Sequence, residues 1–415
     1  MKLNFFTLIF FMYLISIFFA IFDGVRGGLT QSYFPFSFLR DFFIILPAIL
    51  IFLLKKIKLN REMIFFYIIL IFIALYTFII SILFYPDHMY IQDMRGANTA
   101  KPLFYSYGEG IGRWMKFFSM LCLVYTANYL FQEKKDFSLN IILKAIVVFS
   151  LIYSLLTIVL FFFIPNLYEI LGNKWYGRIS IGYPTLDVCF LNLSLIILRY
   201  LDISKVYKAF CFIILVIAIL FQNTTTGFAL LFLTFLIYFY SSKYIFKILS
   251  LLVFSFIFGV LSYIYINYND FDIVGELIYR KGNAIFFGNI SDDPSYFIRM
   301  EQVNYMLKFL KSDPFYFLFG FGGIGSEATE VNIYSIMGFS GLIGLLGYLI
   351  ISLYFLLKSF IYRNSILFFL ILAYWIASMS LNPIYLYFLY FIYSLIIAYG
   401  FYVEKSFKMD KLNNV

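Results

Sequence analysis

Mostly apolar stretches about twenty residues long recur along this chain, and that is the length an α-helix needs to cross a hydrocarbon layer. They fall at approximately 4–22, 38–54, 63–84, 112–131, 139–164, 184–199, 207–222, 226–241, 243–266, 332–357, 365–380 and 384–403. Of the 415 positions 63% are hydrophobic and only 13% charged, about half the charge of an ordinary soluble chain. The predicted fold class is an all-α polytopic membrane protein with about twelve transmembrane helices. The first run is too long for the apolar core of a signal peptide, and no small-residue cleavage site follows it before Asp23, so it is read as retained.

Positive charge supplies an internal check, because Lys and Arg in short loops favour the cytoplasmic side. With the N-terminus inside, alternate loops carry Lys55, Lys56, Lys58 and Arg61, then Lys134 and Lys135, then Arg199, Lys205 and Lys208. Lys243 and Lys247, then Lys358 and Arg363, continue the series, and the tail adds Lys405, Lys408 and Lys411. All fall on one side, which predicts a multi-pass protein with both termini cytoplasmic. Glu62, Glu133, Asp136, Asp202, Glu404 and Asp410 are the acids on that side, and the others lie on or near the outer face. The formal net charge of +9 is thus a topology signal and gives no reason to expect nucleic acid. Cys122, Cys189 and Cys211 lie within runs and read as apolar filler, while the one histidine, His88, sits in an outer loop without a cysteine partner.

Outer segments hold the polar chemistry, at 85–113, 165–187, 222–227 (QNTTTG) and about 267–331. Three regions follow: residues 1–266 with nine helices, 267–331 as one large outer loop, and 332–415 with three more helices and a tail. The large loop keeps Tyr, Phe, Ile and Leu throughout, which argues for a folded helical cap over disorder. Within it, Asp293-Pro294 marks a helix start. Met300, Val303, Met306, Leu307 and Leu310 then recur at helical spacing, with Arg299, Glu301, Gln302, Asn304, Lys308 and Lys311 between them. The pattern predicts an amphipathic helix on the membrane surface or across a cavity mouth, stopping at Asp313-Pro314. FGFGGIG follows it, but without the strand and helix that a dinucleotide fingerprint requires. Gly338, Gly341, Gly344 and Gly347 then recur every third residue, a pattern that lets a neighbouring helix approach.

The order of these features resembles a known family. Gly177, Arg178 and Gly182 precede a span; the hairpin Thr224–Gly227 follows; then come the Arg-led helix, its proline and glycines, and an E-x-N-x-Y segment, Glu330, Asn332 and Tyr334, opening a helix with G-x-x-G. Together, over roughly residues 165–360, they resemble the O-antigen polymerase and ligase superfamily, specifically Wzy-type polysaccharide polymerases. That resemblance implies a GT-C-like glycosyltransferase of the bacterial inner membrane. Its donor and acceptor would be undecaprenyl-diphosphate-linked oligosaccharides, joined at the periplasmic face, with a flippase and a chain-length regulator as partners and no cofactor. Ligases of the superfamily typically carry a histidine at the loop-to-helix junction where this chain has Glu330, which favours a polymerase.

Chemistry at such a site sets residue requirements. A departing diphosphate is stabilised by fixed cations, and arginine binds phosphate through a permanently charged fork. Arg178 and Arg299 are the first choices, with Arg280 and Lys281 as a second basic pair; each can equally be an interfacial cation whose stem lies along apolar surface. Glu330 is the candidate base for the acceptor hydroxyl, or alternatively a charge favoured by the helix dipole. Asp187 is an acid within a span, and a contact to Arg178 would explain it. Trp175, Tyr176, Tyr183 and Tyr296 are the aromatics placed for sugar contact; Asn332 and Tyr334 complete the candidate binding set. Arg40 with Asp41 reads as an interfacial ion pair, and Arg113 and Lys116 around Trp114 as an anchor. No cluster of outer acids has the spacing of metal ligands. Besides the ligase, the other function considered is a transporter or flippase, which usually shows half-to-half repeats, broken helices or midplane charges.

Overall fold

The computed structural model describes residues 4–23, 25, 36–83, 91–93, 101–103, 107–171, 178–241, 251, 255, 258–271, 275–276, 278–280, 282–283, 294–327, 329, 331–379, 381–384 and 386–403. Helices dominate because a backbone in hydrocarbon must satisfy its own polar groups. They are α1 (Phe5–Phe22), α2 (Phe36–Leu54), α3 (Arg61–Leu83), α4 (Tyr107–Phe163), α5 (Pro165–Leu171), α6 (Pro184–Tyr200), α7 (Lys205–Gln222) and α8 (Thr225–Ser241). After these come α9 (Pro294–Ser312), α10 (Pro314–Phe319), α11 (Asn332–Ile361), α12 (Ser365–Ser378) and α13 (Tyr387–Phe401). Among the described residues five are long and apolar enough to cross a membrane: α1, α3, the Gly110–Phe163 part of α4, α7 and α11. The chain is a helical membrane protein. Its one departure from all-α among the described residues is a small ribbon, Ile91–Asp93 antiparallel to Lys101–Leu103.

Every apolar run except the ninth is occupied by a helix; the ninth, 243–266, lies mostly outside the described residues, with 258–266 helical. Helix α4 covers two runs and is interrupted at Lys134 (φ −151, ψ 74), where the sequence places a basic turn. The centre of the bundle consists of α13, buried along its whole length, and α6, buried from Pro184 to Leu198. A helix that is apolar nearly all round, as α13 is, belongs in such a position, while α6 also brings Asp187, Asn192 and Ser194 inside. Around them α3 and α4 turn Phe65, Ile68, Phe72, Leu75, Val148 and Phe162 outward, as a surface in contact with lipid would.

The basic turns at 55–61, 134–135 and 358–364 meet at one end of this bundle. Lys58 N–H donates to Gln132 Oε1 (3.1 Å), Lys358 Nζ to Glu62 Oε1 (2.7 Å), Lys135 Nζ to the Tyr402 carbonyl (2.5 Å) and Asn364 Nδ2 to Tyr399 Oη (2.9 Å). At the other end, Arg40 is buried and bonds both Asp23 (3.1 Å) and Asp41 (2.8 Å), with its guanidinium 5.2 Å from the Tyr387 ring centre. It therefore ties α1, α2 and α13 together, a larger role than the local Arg40–Asp41 pair.

At this second end α11 breaks at Gly341, whose φ of 62 and ψ of −165 lie in a region reserved for glycine. A helix that stops leaves its last four carbonyls without partners, and three of them are answered from elsewhere. Gly338 O accepts from Phe321 N–H (2.7 Å), Phe339 O from Gly322 N–H (3.0 Å), and Ser340 O from Tyr76 Oη (2.6 Å). Gly323 N–H then donates to Ser81 Oγ (2.8 Å) at the end of α3. The FGFGGIG segment is thus a backbone splint laid into the break. Gly325 lies against Gly338 so closely that a Cβ on it would overlap the Gly338 carbonyl. The every-third-residue glycines divide accordingly: Gly338 and Gly341 serve the splint, while Gly347 faces Ile73 and Ile69 of α3. Replacing Gly341 by Ala is expected to cost about 2 kcal/mol or more. Gly112→Ala, whose new Cβ meets nothing within 4 Å, should be neutral or slightly stabilising. Thermal unfolding of both variants in detergent checks this, and equal shifts would disprove the splint.

Candidate functional site

Two polar knots lie at the end of the bundle that carries the splint. The first is built on Asp187. Pro184 occupies the opening turn of α6, Asp187 N–H donates to the Tyr183 carbonyl (2.9 Å), and the carboxylate sits at the favourable end of the helix dipole. Asp187 is 0% exposed. Its Oδ2 accepts from Tyr153 Oη (2.5 Å) and from Ser180 Oγ. Tyr168 Oη clamps Ser180 from behind, accepting its backbone N–H (3.0 Å) and donating to its carbonyl (3.3 Å). Ile179 N–H donates to the Phe221 carbonyl (2.9 Å), so the 178–182 loop is also fastened to the QNTTTG hairpin. A Cβ on Gly182 would sit 2.7 Å from Tyr153 Oη and 2.9 Å from Asp187 Oδ1. Arg178, half-buried, stands at the start of this fastened loop. Asp187 thus draws its bonds from Tyr153 and Ser180, where an Arg178 contact was expected.

The second knot is built on Asn332. Its Nδ2 donates to Ser378 Oγ (2.8 Å) and Tyr348 Oη (3.2 Å). Thr329, buried just before, takes a bond from Asn382 Nδ2 to its carbonyl (3.4 Å) and from Val331 N–H to its hydroxyl (2.9 Å). Tyr393 stacks near both Tyr348 and Tyr374, with ring centres 5.0 and 5.1 Å away. Beneath the break a cavity of about 40 Å³ is lined by Phe339, Ser340, Gly344, Tyr348, Tyr374 and Tyr393 among others. It is far smaller than the ~300–1,000 Å³ of ligand clefts. The two knots share an end of the bundle. Helix α12, which carries Ser378, packs against α6, and Tyr200 at the far end of α6 meets Phe369 at the start of α12 (6.5 Å). The helices run antiparallel, so Ser378 and Asp187 lie at the same end.

Arg299 lies elsewhere on its helix than the sequence pattern indicates. Val303, Met306 and Leu310 are buried in α9, whereas Asn304, Lys308 and Lys311 are exposed. Positions 299, 303, 306 and 310 share one helical face, so half-buried Arg299 belongs to the packed stripe. Met306 reaches Gly338, which docks α9 on the first half of α11. The helix stops at Ser312, where Asp313 caps α10 by accepting Phe315 N–H (2.8 Å).

The remaining candidates divide. Arg280 is exposed and bonded to Glu276 one turn back; Tyr183 packs on the core and Tyr334 is half-buried. Glu330, Lys281, Trp175 and Tyr176 lie outside the described residues, as does the Tyr296 side chain. Sequence reasoning did not pick out Tyr153, Tyr168 or Ser180. Ser180 stands inside the GRISIG stretch, which could have drawn attention to it; Tyr153 lies in an apolar run that offers no signal, and Tyr168 in the outer segment 165–187 outside any motif. Comparison of the chain with protein-family models and with curated proteins finds no match.

Removal of one bond to the buried carboxylate tests the first knot. Tyr153→Phe should lower stability by about 1–3 kcal/mol, and Gly182→Ala should be at least as damaging because it crowds both partners. Unfolding midpoints of the purified variants measure this; a Tyr153→Phe midpoint equal to wild type would show that the bond carries nothing.

Proposed function

We propose that this chain is a GT-C-like, twelve-span glycosyltransferase that polymerises undecaprenyl-diphosphate-linked oligosaccharide units into O-antigen or a related surface polysaccharide. In this reading it sits in the bacterial inner membrane with both termini cytoplasmic, and the two knots face the periplasm. The observation that carries the reading is the fastening of the Arg178 loop. Bonds from Ile179, Ser180 and Tyr168 hold the backbone on both sides of the knot, so the cation does not have to be organised when a diphosphate departs. Such preorganised charge is a large source of catalytic rate. Arg178 and Arg299 stabilise the leaving diphosphate, Glu330 accepts the proton of the attacking hydroxyl, and Asp187 acts as a positioning residue for the loop. Arg280, Lys281, Tyr183, Trp175, Asn332 and Tyr334 contact the glycan or its phosphates.

A transporter is the second reading, because the broken helix at Gly341 is a feature that transporters use. The splint weighs against it, since a break packed backbone to backbone is a fixed scaffold and offers no second arrangement.

Surface polysaccharide from a deletion strain, complemented with wild type, Arg178→Ala, Arg299→Ala and Glu330→Ala, resolves these readings on a gel. Loss of the ladder with single repeat units retained on lipid A core is the polymerase outcome. Each variant should also lose the ladder while remaining in the membrane at normal level. Loss of all glycan from the core with long lipid-linked polymer accumulating means a ligase; an unchanged ladder in the deletion strain points to transport.

A further inference from the structure

Helix α9 does not spend its apolar stripe on lipid. Val303, Met306 and Leu310 pack inward, and Met306 reaches Gly338, so contact with the membrane at this end falls to another surface. Short α10 supplies one. A Cβ on Gly341 would overlap the Leu318 backbone, and Phe319 meets the Tyr76 ring edge to face at 5.7 Å. Tyr76 shares one face of α3 with Phe72 and Ile79, which are exposed. Helix α10 therefore lies against an outward stripe of a helix long and apolar enough to span the membrane. Just before Phe319, its own Phe317 and Leu318 are exposed at 37% and 41%.

Height along the bundle says what covers them. The Lys358–Glu62 pair marks the basic end of α3 and α11. Ser81, whose hydroxyl meets Gly323 N–H, stands 19 residues beyond Glu62 on α3, or about 28 Å. Gly341, where Leu318 rests, stands 17 residues before Lys358 on α11, or about 25 Å. A hydrocarbon core is about 30 Å thick, so both helices put α10 just inside its far boundary. Lys308 and Lys311 are held near that boundary too, because they lie between Met306, at Gly338, and Leu318, at Gly341. The two lysines share one exposed face with Asn304. They take part in none of the ion pairs among the described residues. Asp313, the carboxylate in the same elbow, accepts Phe315 N–H (2.8 Å). Ammonium groups next to exposed apolar side chains, at the edge of the hydrocarbon, form a surface suited to anionic lipid.

We propose that the elbow between α9 and α10 is a lipid-binding surface, with Phe317 and Leu318 among the acyl chains and Lys308 and Lys311 on the phosphates of anionic phospholipids. It fastens the outside of the splint to the bilayer, as Gly338 and Gly341 fasten its inside to α11. This surface stands independently of the glycan reading, because it follows from exposure, height and charge alone.

Lipid-selective quenching in the purified full-length protein tests it. Cys122, Cys189 and Cys211 are buried, so a thiol-reactive fluorophore on Leu318→Cys labels the elbow. The protein is reconstituted in phosphatidylcholine vesicles, with bromines carried either on phosphatidylcholine chains or on the chains of added phosphatidylglycerol. Both brominated lipids should quench, and phosphatidylglycerol should be preferred about fivefold for each lysine engaged. Lys308→Gln together with Lys311→Gln should abolish the preference and leave quenching by phosphatidylcholine unchanged. If Leu318→Cys does not fold, the fluorophore goes on Phe317→Cys. Absence of quenching by either lipid, equal quenching by both with the lysines intact, or a preference that survives the double change would overturn the proposal.

Discussion

Hydrocarbon offers a backbone nothing to bond to, so each interruption of a helix in this bundle has to be answered by another part of the chain. The break in α11 shows what that demands. Three carbonyls freed at Gly338, Phe339 and Ser340 are matched by two loop amides and a tyrosine hydroxyl. Side chains cannot fit between backbones that approach so closely, which explains why glycines recur on both sides of the contact. The same requirement governs the start of α6. There the chain arrives through an irregular loop, and hydroxyls from Tyr153, Tyr168 and Ser180 bond the loop backbone and the buried acid together.

Much of this architecture is legible in the amino-acid order because it follows from simple rules. Apolar runs become helices since nothing else satisfies their backbone, and three of the basic turns predicted to share a face do meet, through Lys58, Lys135, Lys358 and Asn364. Proline at 314 ends α9 where expected. What escapes is the identity of partners far apart in sequence. Tyr153 and Asp187 are separated by a turn and a short helix, and a tyrosine inside an apolar run looks the same whether it meets lipid or a carboxylate. The stripe on α9 holds at Val303, Met306 and Leu310, and what the sequence pattern left out is Arg299, which is half-buried one turn before Val303 on the same face. A long basic side chain can join an apolar stripe by burying its stem, and hydrophobicity counts do not register this.

The positions of the knots bear on how a reaction could be organised. Both lie at the end opposite the basic turns, one on α6, α7 and α8, the other on α11 and α12. The α6–α12 packing connects them. The residues that hold this end are mainly hydroxyls and amides, with few paired charges. That choice suits a low-dielectric setting, where a satisfied neutral bond carries less risk than a buried ion pair. Among the described residues Arg40 is a buried exception, and it has two carboxylates and an aromatic face around it.

The splint also dictates an order of assembly. Phe321 and Gly338 are near neighbours in the chain, so their bond closes a short loop at little entropic cost. Ser81 has to wait, because its partner Gly323 is 242 residues away, and Tyr76 is 264 residues from Ser340. During synthesis α3 therefore sits in the membrane long before the glycines that complete it exist. Its hydroxyls are prepared for that interval. Thr77 bonds back to the Ile73 carbonyl and Ser81 to the Thr77 carbonyl, both at 2.6 Å. These two hydroxyls are satisfied within the young helix while the rest of the protein is made, and the Tyr76 hydroxyl and a spare lone pair of Ser81 are left for the late-arriving partners.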